Sequence, residues 1–269
     1  MKSGIKRVLT IAGSDSSGGA GIQADLKTFT ALGCYGMSVI TAITAQNTVE
    51  VRSIHEIPPT EVRNQMEAVL DDIGVDAVKT GMLANAAIIE TVAEVLEQYQ
   101  TPNIVVDPVM LSKGGAHLLR EDAIEALKRC LLPLATIITP NIPEAASLTG
   151  IAIGGYTDIR SSLELLHKLG SQFVLLKGGH FDSQEATDYL FDGNVQQTYS
   201  TRRIVTKNTH GTGCTYAAAI ACYLAQGCAP PEAVRLAKNF LTGAIEASDF
   251  LNIGHGVGPL HHGWNLNKT

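Results

Sequence analysis

A glycine-containing loop before a helix of small residues is the first segment that could support chemistry. The loop covers residues 208–215 and contains Gly211 and Gly213, and the alanine-rich run 217–221 follows it. Glycines let successive backbone N–H groups turn toward one point, and the N-terminus of a helix adds partial positive charge. The loop therefore predicts an anion cradle, although a tight turn into a closely packed helix would have the same local pattern.

Polar residues also follow several short apolar runs. If those runs are parallel strands, their carboxyl ends share one edge of the sheet, where ligands of such folds bind. Polarity and glycine content are also ordinary properties of loops, so no single one of these segments is decisive. The segments are residues 13–15, 46–47, 81–82, 107–108, 141–144 and 177–180.

Strand and helix patterns alternate along the chain. Strands are predicted at residues 8–12, 37–45, 77–80, 104–107, 135–139 and 173–177. Helices are predicted at 22–32, 59–73 with Thr60 as N-cap, 86–100, 122–132, 158–169, 212–226 and 231–249. Residues 189–191 and 195–201 flank a hairpin turn at 192–194. The pattern predicts an α/β fold with a mostly parallel sheet and helices on both faces, as a single domain over residues 1–269.

Composition excludes several other classes of protein. The chain has 269 residues, of which 45% are hydrophobic, and a net charge of −6 without a cationic stripe, which argues against a nucleic-acid partner. No apolar run approaches the roughly 18 residues that a membrane span needs. The basic N-terminus leads into only a short apolar strand, unlike a signal peptide. The five cysteines lack CxxC or zinc-type spacing, so free thiols in the cytoplasm are expected.

A dinucleotide-binding oxidoreductase is the main rival among nucleotide-binding folds. Residues 19–24 fit the G-x-G-x-x-A form after a strand. That fingerprint needs an acidic residue about 20 positions on, whereas residues 45–48 are uncharged. A Walker-type loop is also absent because the sequence contains no Gly-Lys pair. An enzyme that uses ATP would therefore need another phosphate cradle, for which the loop at 211–214 is the candidate.

Taken together, eight segments resemble the hydroxymethylpyrimidine/phosphomethylpyrimidine kinases, a branch of the ribokinase-like superfamily. They occur in the family's order over nearly the whole chain, and they are specific as a set. The segments are residues 12–25, 45–48, 79–83, 106–110, 139–145, 176–180, 209–215 and 254–259. The resemblance implies a three-layer αβα ribokinase-like fold, a homodimer, and ATP and Mg²⁺ as co-substrate and cofactor. The implied reaction phosphorylates 4-amino-5-hydroxymethyl-2-methylpyrimidine to its monophosphate and then to its diphosphate, in thiamin biosynthesis.

The resemblance also implies roles in the phosphate cradle. The N–H groups of Gly211, Thr212, Gly213 and Cys214 would hold the transferring phosphoryl group, and Thr212 would also contact ATP. Cys214 occupies the position where most of the superfamily has a catalytic aspartate, which makes it the candidate base. Because a helix N-terminus lowers the pKa of a thiol, a thiolate is expected. A role limited to orienting the substrate hydroxyl, or to packing, remains open.

By the same resemblance, charged and amide side chains would surround the nucleotide phosphates. Lys177 would approach the β- and γ-phosphates of ATP, and Asn141 would point toward them. Asp107 and Glu144 would hold Mg²⁺ largely through water, as that ion prefers. Glu144 could instead cap the helix that follows Pro143.

The pyrimidine would bind beside the first strands. Gln46 carries both a donor and an acceptor for the ring edge, and the resemblance assigns it that role. The pocket would also be lined by Gly13, Asp25, Met82 and Val109.

Three further residues lie in or beside these loops without an assigned reaction role. His180 and His210 flank the phosphate-side loops and are given no chemistry. Asp15 is interpreted as a loop cap.

Two other functions stay open. Pyridoxal kinase of the same superfamily branch is the nearest alternative, because that branch shares the cysteine and the glycine loops. Gln46 and Asn47 favour the pyrimidine, whose amino group needs a carbonyl acceptor. A non-catalytic sensor of the pyrimidine would be expected to lack Lys177, Cys214 or the carboxylates, and the chain has all of them.

Overall fold

A nine-stranded sheet forms the centre of the computed structural model, which describes residues 4–110, 121–179 and 184–266. The order across the sheet is β3-β2-β1-β4-β5-β6-β7-β8-β9, and within it β3 and β8 run against the other seven strands. The strands are β1 Arg7–Asp15, β2 Tyr35–Gln46, β3 Val51–Glu56, β4 Ala77–Thr80, β5 Ile104–Val106, β6 Ile137–Ile138, β7 Phe173–Lys177, β8 Glu185–Phe191 and β9 Gln196–Arg202. The predicted mostly parallel sheet is confirmed.

Eight α-helices of the described chain cover this sheet. They are α1 Gly21–Ala31, α2 Pro59–Asp72, α3 Ala86–Gln98, α4 Glu121–Ala126, α5 Ile142–Thr149, α6 Ile159–His167, α7 Thr212–Ala225 and α8 Pro230–Glu246. A π-helical turn, Leu127–Leu131, continues α4, and 3-10 turns lie at Leu132–Leu134, Tyr156–Asp158 and Ala247–Phe250. Of the helices described, none is long and apolar enough to cross a membrane.

Alternating residues of the strands bury their side chains in two separate cores. Val8 packs in the core that includes α1, α7 and α8, whereas its neighbour Leu9 packs in the core that includes α2 to α6. Val105 and Val106 divide in the same way. This alternation is the period of a strand with both faces covered. The molecule thus has the predicted three αβα layers.

The small residues of α7 bring its N-terminus close to the sheet. Ala217, Ala218, Ala219 and Ala221 have no exposed surface, and α7 contacts β1, β4, β5 and α1. Larger side chains on this face would hold the helix farther from the strands. The close approach places the start of α7 at the carboxyl edge of the parallel strands.

Local differences from the sequence predictions have clear causes. The edge strand β3 was not predicted, because five of its six residues are exposed and give no apolar alternation. Thr60 is not the N-cap of α2: the helix starts at Pro59 with Pro58 before it, as suits a proline at the first helical position. The hairpin turn is confirmed, with the Asp192 carboxylate accepting hydrogen bonds from the N–H groups of Asn194 and Val195.

Candidate active site

Two cavities meet at the carboxyl edge of the sheet. The first, of about 190 Å³, lies over β1, β2 and β4 and is bordered by the start of α7. The second, of about 540 Å³, lies between β8, β9 and α8. Both cavities are lined by Asn141, Glu144, Lys177, Thr212 and Gly213. A ligand in one cavity can therefore reach a ligand in the other at these five residues.

The glycines of the predicted anion cradle lie at this junction. Gly211 has a φ of +82°, and a Cβ there would be 1.9 Å from the carbonyl oxygen of Gly19, so only glycine fits. A Cβ on Gly213 would point at Lys177 Nζ, 3.4 Å away, and would enter the space between the two cavities. Because α7 begins at Thr212, its first N–H groups are free of helical partners. The loop therefore has the geometry of an anion site.

Cys214 lies at the start of α7 and lines the first cavity. Burial raises the pKa of its thiol to about 11, which outweighs the opposing effects of the Lys79 ammonium and a hydrogen bond from the N–H of Gly21. The expected lowering of the Cys214 pKa is therefore wrong, because burial outweighs it. At neutral pH the sulfur carries its proton.

Lys177 and Asp107 form an ion pair at the junction, with Lys177 Nζ 2.8 Å from Asp107 Oδ1. The same carboxylate oxygen accepts a hydrogen bond from the Thr139 hydroxyl at 3.0 Å. Burial opposes both charges, but their mutual attraction lowers the pKa of Asp107 and raises the pKa of Lys177. Both groups are therefore charged at neutral pH.

Asn141 and Glu144 form a capping box at the start of α5. The N–H of Glu144 donates to Asn141 Oδ1 at 2.9 Å, and the N–H of Asn141 donates to Glu144 Oε2 at 2.8 Å. The capping role considered for Glu144 is confirmed. Burial raises the pKa of Glu144 to about 7, with Lys177 lowering it and Asp107 raising it.

The two carboxylates of the first cavity suit Mg²⁺ better than they suit a metal ion whose ligands are all protein side chains. Asp107 and Glu144 both line the first cavity, and within the described residues no group of three or more metal-binding side chains occurs. Mg²⁺ usually keeps several waters and binds one or two carboxylates together with phosphates. The two carboxylates therefore fit this ion, with phosphate and water as its other ligands.

The first cavity continues to four of the five residues predicted to line a substrate pocket. Gly13, Gln46, Met82 and Val109 all line it. A Cβ on Gly13 would lie 2.4 Å from Met82 Cε, so glycine leaves the room that the methionine occupies. The wall is apolar near Met82 and polar near Gln46.

Asp25, the fifth predicted residue, does not line this cavity. Its side chain is fully buried, and its Oδ2 accepts from Thr10 Oγ1 at 2.6 Å and from Lys79 Nζ at 2.9 Å. Burial raises the pKa of Asp25 against the effect of Lys79. The carboxylate pairs with Lys79, an equally buried lysine that itself lines the cavity. No sequence pattern indicated this partner.

Asp15 and His210 were not assigned to the site, yet both line the first cavity. His210 Nε2 is 2.8 Å from Asp15 Oδ2 and 3.3 Å from the Gln46 carboxamide. Asp15 also accepts hydrogen bonds from the N–H groups of Ser17 and Ala20, which confirms its interpretation as a loop cap. Burial would raise the pKa of Asp15, but these hydrogen bonds and the one to His210 hold it at about 2. His180 lies outside the described residues.

Comparison with known proteins shows the family to which the chain belongs. The sequence model of the family described as phosphomethylpyrimidine kinase matches residues 15–261. The chain belongs to that family. It is therefore a phosphotransferase, and its two joined cavities are the candidate active site.

Relatives of the family are similar over the whole chain. A hydroxymethylpyrimidine/phosphomethylpyrimidine kinase of Streptomyces coelicolor is 51% identical over 97% of this chain and 96% of its own length. The thiamine biosynthesis bifunctional protein ThiED of Geobacter sulfurreducens is 53% identical over 95% of this chain, which spans about half (52%) of that protein. The pyridoxal kinase of Staphylococcus aureus, solved with AMP-PCP and pyridoxal, is 39% identical with a TM-score of 0.90, over 99% of this chain and 96% of that one. The ribokinase-like fold expected from the sequence is confirmed.

Proposed function

We propose that the protein transfers a phosphoryl group from ATP to 4-amino-5-hydroxymethyl-2-methylpyrimidine, and then to the resulting monophosphate, in thiamin biosynthesis. The observation that carries this proposal is the meeting of two cavities at one anion cradle. Lys177, Asp107 and the first N–H groups of α7 border the meeting point. Phosphoryl transfer depends on positioning and charge stabilisation, and these groups supply both.

The nucleotide is proposed to occupy the second cavity. Arg202, Arg203 and Lys238 bring positive charge to its wall, and Leu241 and Ile245 provide an apolar surface for a base. Lys238 Nζ is 2.6 Å from Asp188 Oδ2, and Asp188 Oδ1 accepts from the N–H of Gly178, next to Lys177. In this arrangement Asn141, Thr212 and Lys177 contact the phosphates, where the cavities join.

The pyrimidine is proposed to occupy the first cavity. Its ring edge faces Gln46, and its apolar faces contact Met82 and Val109, with Gly13 leaving the space. The hydroxymethyl group then points toward Cys214 and the cradle formed by Gly211, Thr212 and Gly213.

Cys214 is proposed to lie beside the acceptor hydroxyl. With a pKa of about 11 the thiol is protonated near neutral pH, so it can orient the hydroxyl but provides little thiolate to act as a base. Cys214 as general base is the alternative, and the pH dependence of kcat separates the two roles.

Mg²⁺ would be held by Asp107 and Glu144 through water and by the phosphates of ATP. When bound, it neutralises the negative charge of the phosphates. Lys177 balances Asp107, and its ammonium would also contact a phosphate oxygen of bound ATP.

Further proposals concern the state of the whole chain. Residues 1–269 are proposed to act as one kinase domain, in the cytoplasm and as a homodimer. The five cysteines are free thiols, as in a reducing compartment. Exposed apolar side chains, including Ile43 and Ile54, lie on β2 and the edge strand β3, and a second copy could cover them.

Pyridoxal kinase is the second candidate, because a structural neighbour with a TM-score of 0.90 was solved with pyridoxal. The deciding experiment supplies Mg·ATP with the hydroxymethylpyrimidine, its monophosphate or pyridoxal, and follows ADP release and product mass. Successive mono- and diphosphate products, with pyridoxal at least about tenfold slower in kcat/KM, are expected. A preference for pyridoxal would replace the pyrimidine proposal, and turnover of none of the three would contradict both.

The variant Gln46→Ala tests the assignment of the ring edge in the same assay. Its expected effect is a higher KM for the pyrimidine with a much smaller change in kcat. An unchanged KM would place the ring elsewhere in the cavity.

A further inference from the structure

The side-chain amide of Gln46 lies between two polar groups of the cavity wall. Its Oε1 is 3.2 Å from Thr44 Oγ1, and its Nε2 is 3.3 Å from His210 Nε2. A half-turn about the last side-chain bond exchanges the oxygen and the nitrogen with almost no change in shape. The hydrogen-bond capacity of the two neighbours therefore decides which orientation is stable.

Thr44 can only accept a hydrogen bond from the amide. The Thr44 hydroxyl is 2.9 Å from the carbonyl oxygen of Ser14 and 3.2 Å from Gln46 Oε1. A hydroxyl has a single proton, and the shorter contact takes it because the Ser14 carbonyl can only accept. Toward Gln46 it therefore offers a lone pair. The matching group of the amide is its NH₂.

His210 can only donate to the amide. Its Nε2 lies 2.8 Å from Asp15 Oδ2, and a pKa of about 2 keeps Asp15 ionised and thus an acceptor only. Nε2 therefore carries a proton, which it donates to Asp15 and can share with the amide, 3.3 Å away, only in a three-centre hydrogen bond. A protonated Nε2 has no lone pair, so it cannot accept from the amide NH₂. The matching group of the amide is its carbonyl oxygen.

Both neighbours thus favour the same orientation, with Oε1 toward His210 and Nε2 toward Thr44. The other orientation places two donors together at one end and two acceptors together at the other. Such mismatches are costly where water has little access, and His210 and Thr44 are buried.

The backbone holds His210 and the Gln46 turn at a fixed separation. The N–H of His210 donates to the carbonyl of Gly258 at 3.0 Å, and the N–H of Val257 donates to the carbonyl of Thr48 at 2.9 Å. One short segment, residues 257–258, therefore binds both loops. On its other side the His210 ring packs against Gly19, where a Cβ would lie 2.3 Å from His210 Cδ2.

We propose that His210 is a positioning residue for substrate specificity, which fixes the direction of the Gln46 amide and so the order of acceptor and donor that the cavity presents to the ring. The inference rests on the proposed function and deepens it. In the 4-aminopyrimidine the amino group donates and the neighbouring ring nitrogen accepts, which complements the fixed amide. A 4-oxo analogue, with a carbonyl and a ring N–H, presents the reverse order.

The test measures binding of the 4-amino and 4-oxo pyrimidines by calorimetry to the wild type and to the variants His210→Phe and His210→Gln. The wild type is expected to prefer the amino form by roughly 100-fold or more, since a mismatched polar pair is left unpaired. His210→Phe removes the donor, so the preference should fall by at least about tenfold. His210→Gln retains an N–H at a similar distance from the backbone and should keep most of the preference for the amino form.

Thr44→Val tests the other end of the amide without touching the His210 ring. It removes the acceptor in a side chain of the same shape and should weaken the preference in the same direction. In turnover, His210→Phe should raise KM for the aminopyrimidine with a much smaller change in kcat. A purely structural role for His210 would instead lower the thermal unfolding temperature and weaken both ligands equally.

The outcomes separate this inference from the function on which it rests. One outcome is that the wild type binds the aminopyrimidine tightly while His210→Phe and Thr44→Val keep the wild-type preference for the amino form. In that case the positioning role proposed for His210 is wrong and the proposed function stands. If the wild type binds neither pyrimidine, both are overturned. Should His210→Phe fail to fold, the preference of Thr44→Val decides.

Discussion

Lys177 Nζ and Asp107 Oδ1 lie 2.8 Å apart at the point where the two cavities meet, although 70 positions separate the residues in sequence. Lys177 ends β7 and Asp107 directly follows β5, with β6 between these strands. The pair is therefore built from the carboxyl edge of the parallel sheet. Its two charges balance each other at the point where the two cavities meet.

Replacement of this lysine tests its role in transfer. Lys177→Met is expected to lower kcat by roughly 10²–10³-fold, the usual loss on removal of a group that stabilises transition-state charge. Asp107 would be left without its nearest cation, so some loss of stability is also expected. Steady-state kinetics with saturating Mg·ATP measures the first effect, and thermal unfolding measures the second.

Lys168→Met is the matched control, because that lysine is exposed beyond α6 and away from both cavities. It should retain wild-type kinetics. A Lys177→Met enzyme that keeps kcat within about threefold of the wild type would remove Lys177 from the transfer step.

The raised pKa of Cys214 makes its protonation state testable. Because burial moves that pKa to about 11, the free enzyme should react slowly with iodoacetamide at Cys214 near pH 7, and the reaction should speed up as the pH rises toward 11. Cys214→Ala should lower kcat with little change in pyrimidine affinity. Mass spectrometry of the alkylated peptide follows the thiol, with Cys214→Ala as the blank.

The pH profile of kcat then decides between base and orienting group. If the thiol only orients the hydroxyl, kcat of the wild type and of Cys214→Ala should depend on pH in the same way between pH 6 and 9. A rise that belongs to Cys214 would show that its thiolate acts as a base, because the thiolate fraction increases with pH below the pKa of the thiol.

Glu144 should make the free energy of unfolding decrease as the pH rises, which is the opposite of the usual effect of a carboxylate. Its pKa is raised from 4.5 to about 7 by burial, so between these values the folded protein holds a proton that the unfolded chain releases. The Glu144 contribution to the free energy of unfolding is therefore fully present below pH 4.5 and is lost as the pH rises to about 7. Its size is roughly 2–4 kcal/mol.

Glu144→Gln is a sharp comparison, since glutamine also serves in a capping box and does not titrate. Urea unfolding at several pH values should show the wild type losing stability relative to the variant as the pH rises. Parallel curves for the two proteins across this range would contradict the raised pKa.

The alternating apolar runs were enough to predict most of the architecture. Residues 77–80 and 173–177 form strands with the predicted bounds, because both are buried and rich in apolar residues. The edge strand β3 gave no such signal, since an edge exposed to water does not need an apolar face. A strand can therefore be predicted from the sequence only where its burial gives it a pattern of apolar residues.

The geometry of an anion site was predictable where one local motif carries it. The cradle at residues 211–214 is of this kind, because its glycines and its helix are neighbours in sequence. Pairings between distant residues were not: Asp25 meets Lys79 across 54 positions, and His210 meets Asp15 across 195. Which cation neutralises a buried carboxylate depends on the packing of strands and loops, which a single sequence does not specify.

Gly213 offers a substitution that separates stability from activity. A methyl group there would lie 3.4 Å from Lys177 Nζ and 3.5 Å from Asp107 Oδ2, distances of ordinary contact. Alanine also favours a helix over glycine by about 1 kcal/mol, so Gly213→Ala should fold at least as stably as the wild type. The added methyl group would, however, occupy the cradle through which the phosphoryl group is proposed to pass. We therefore expect a fall in kcat of at least about 100-fold.

Thermal unfolding and steady-state kinetics on the same preparation measure both effects of Gly213→Ala. Gly155→Ala is the control, because a Cβ there meets no atom within 4 Å and the residue lines neither cavity. Unchanged stability with a large loss of kcat would mean that the space beside Gly213 is used in the reaction, since no folding defect could account for the loss. A Gly213→Ala enzyme with normal kcat would instead place the transferring group away from α7, and the anion cradle would then be only a tight turn into a helix.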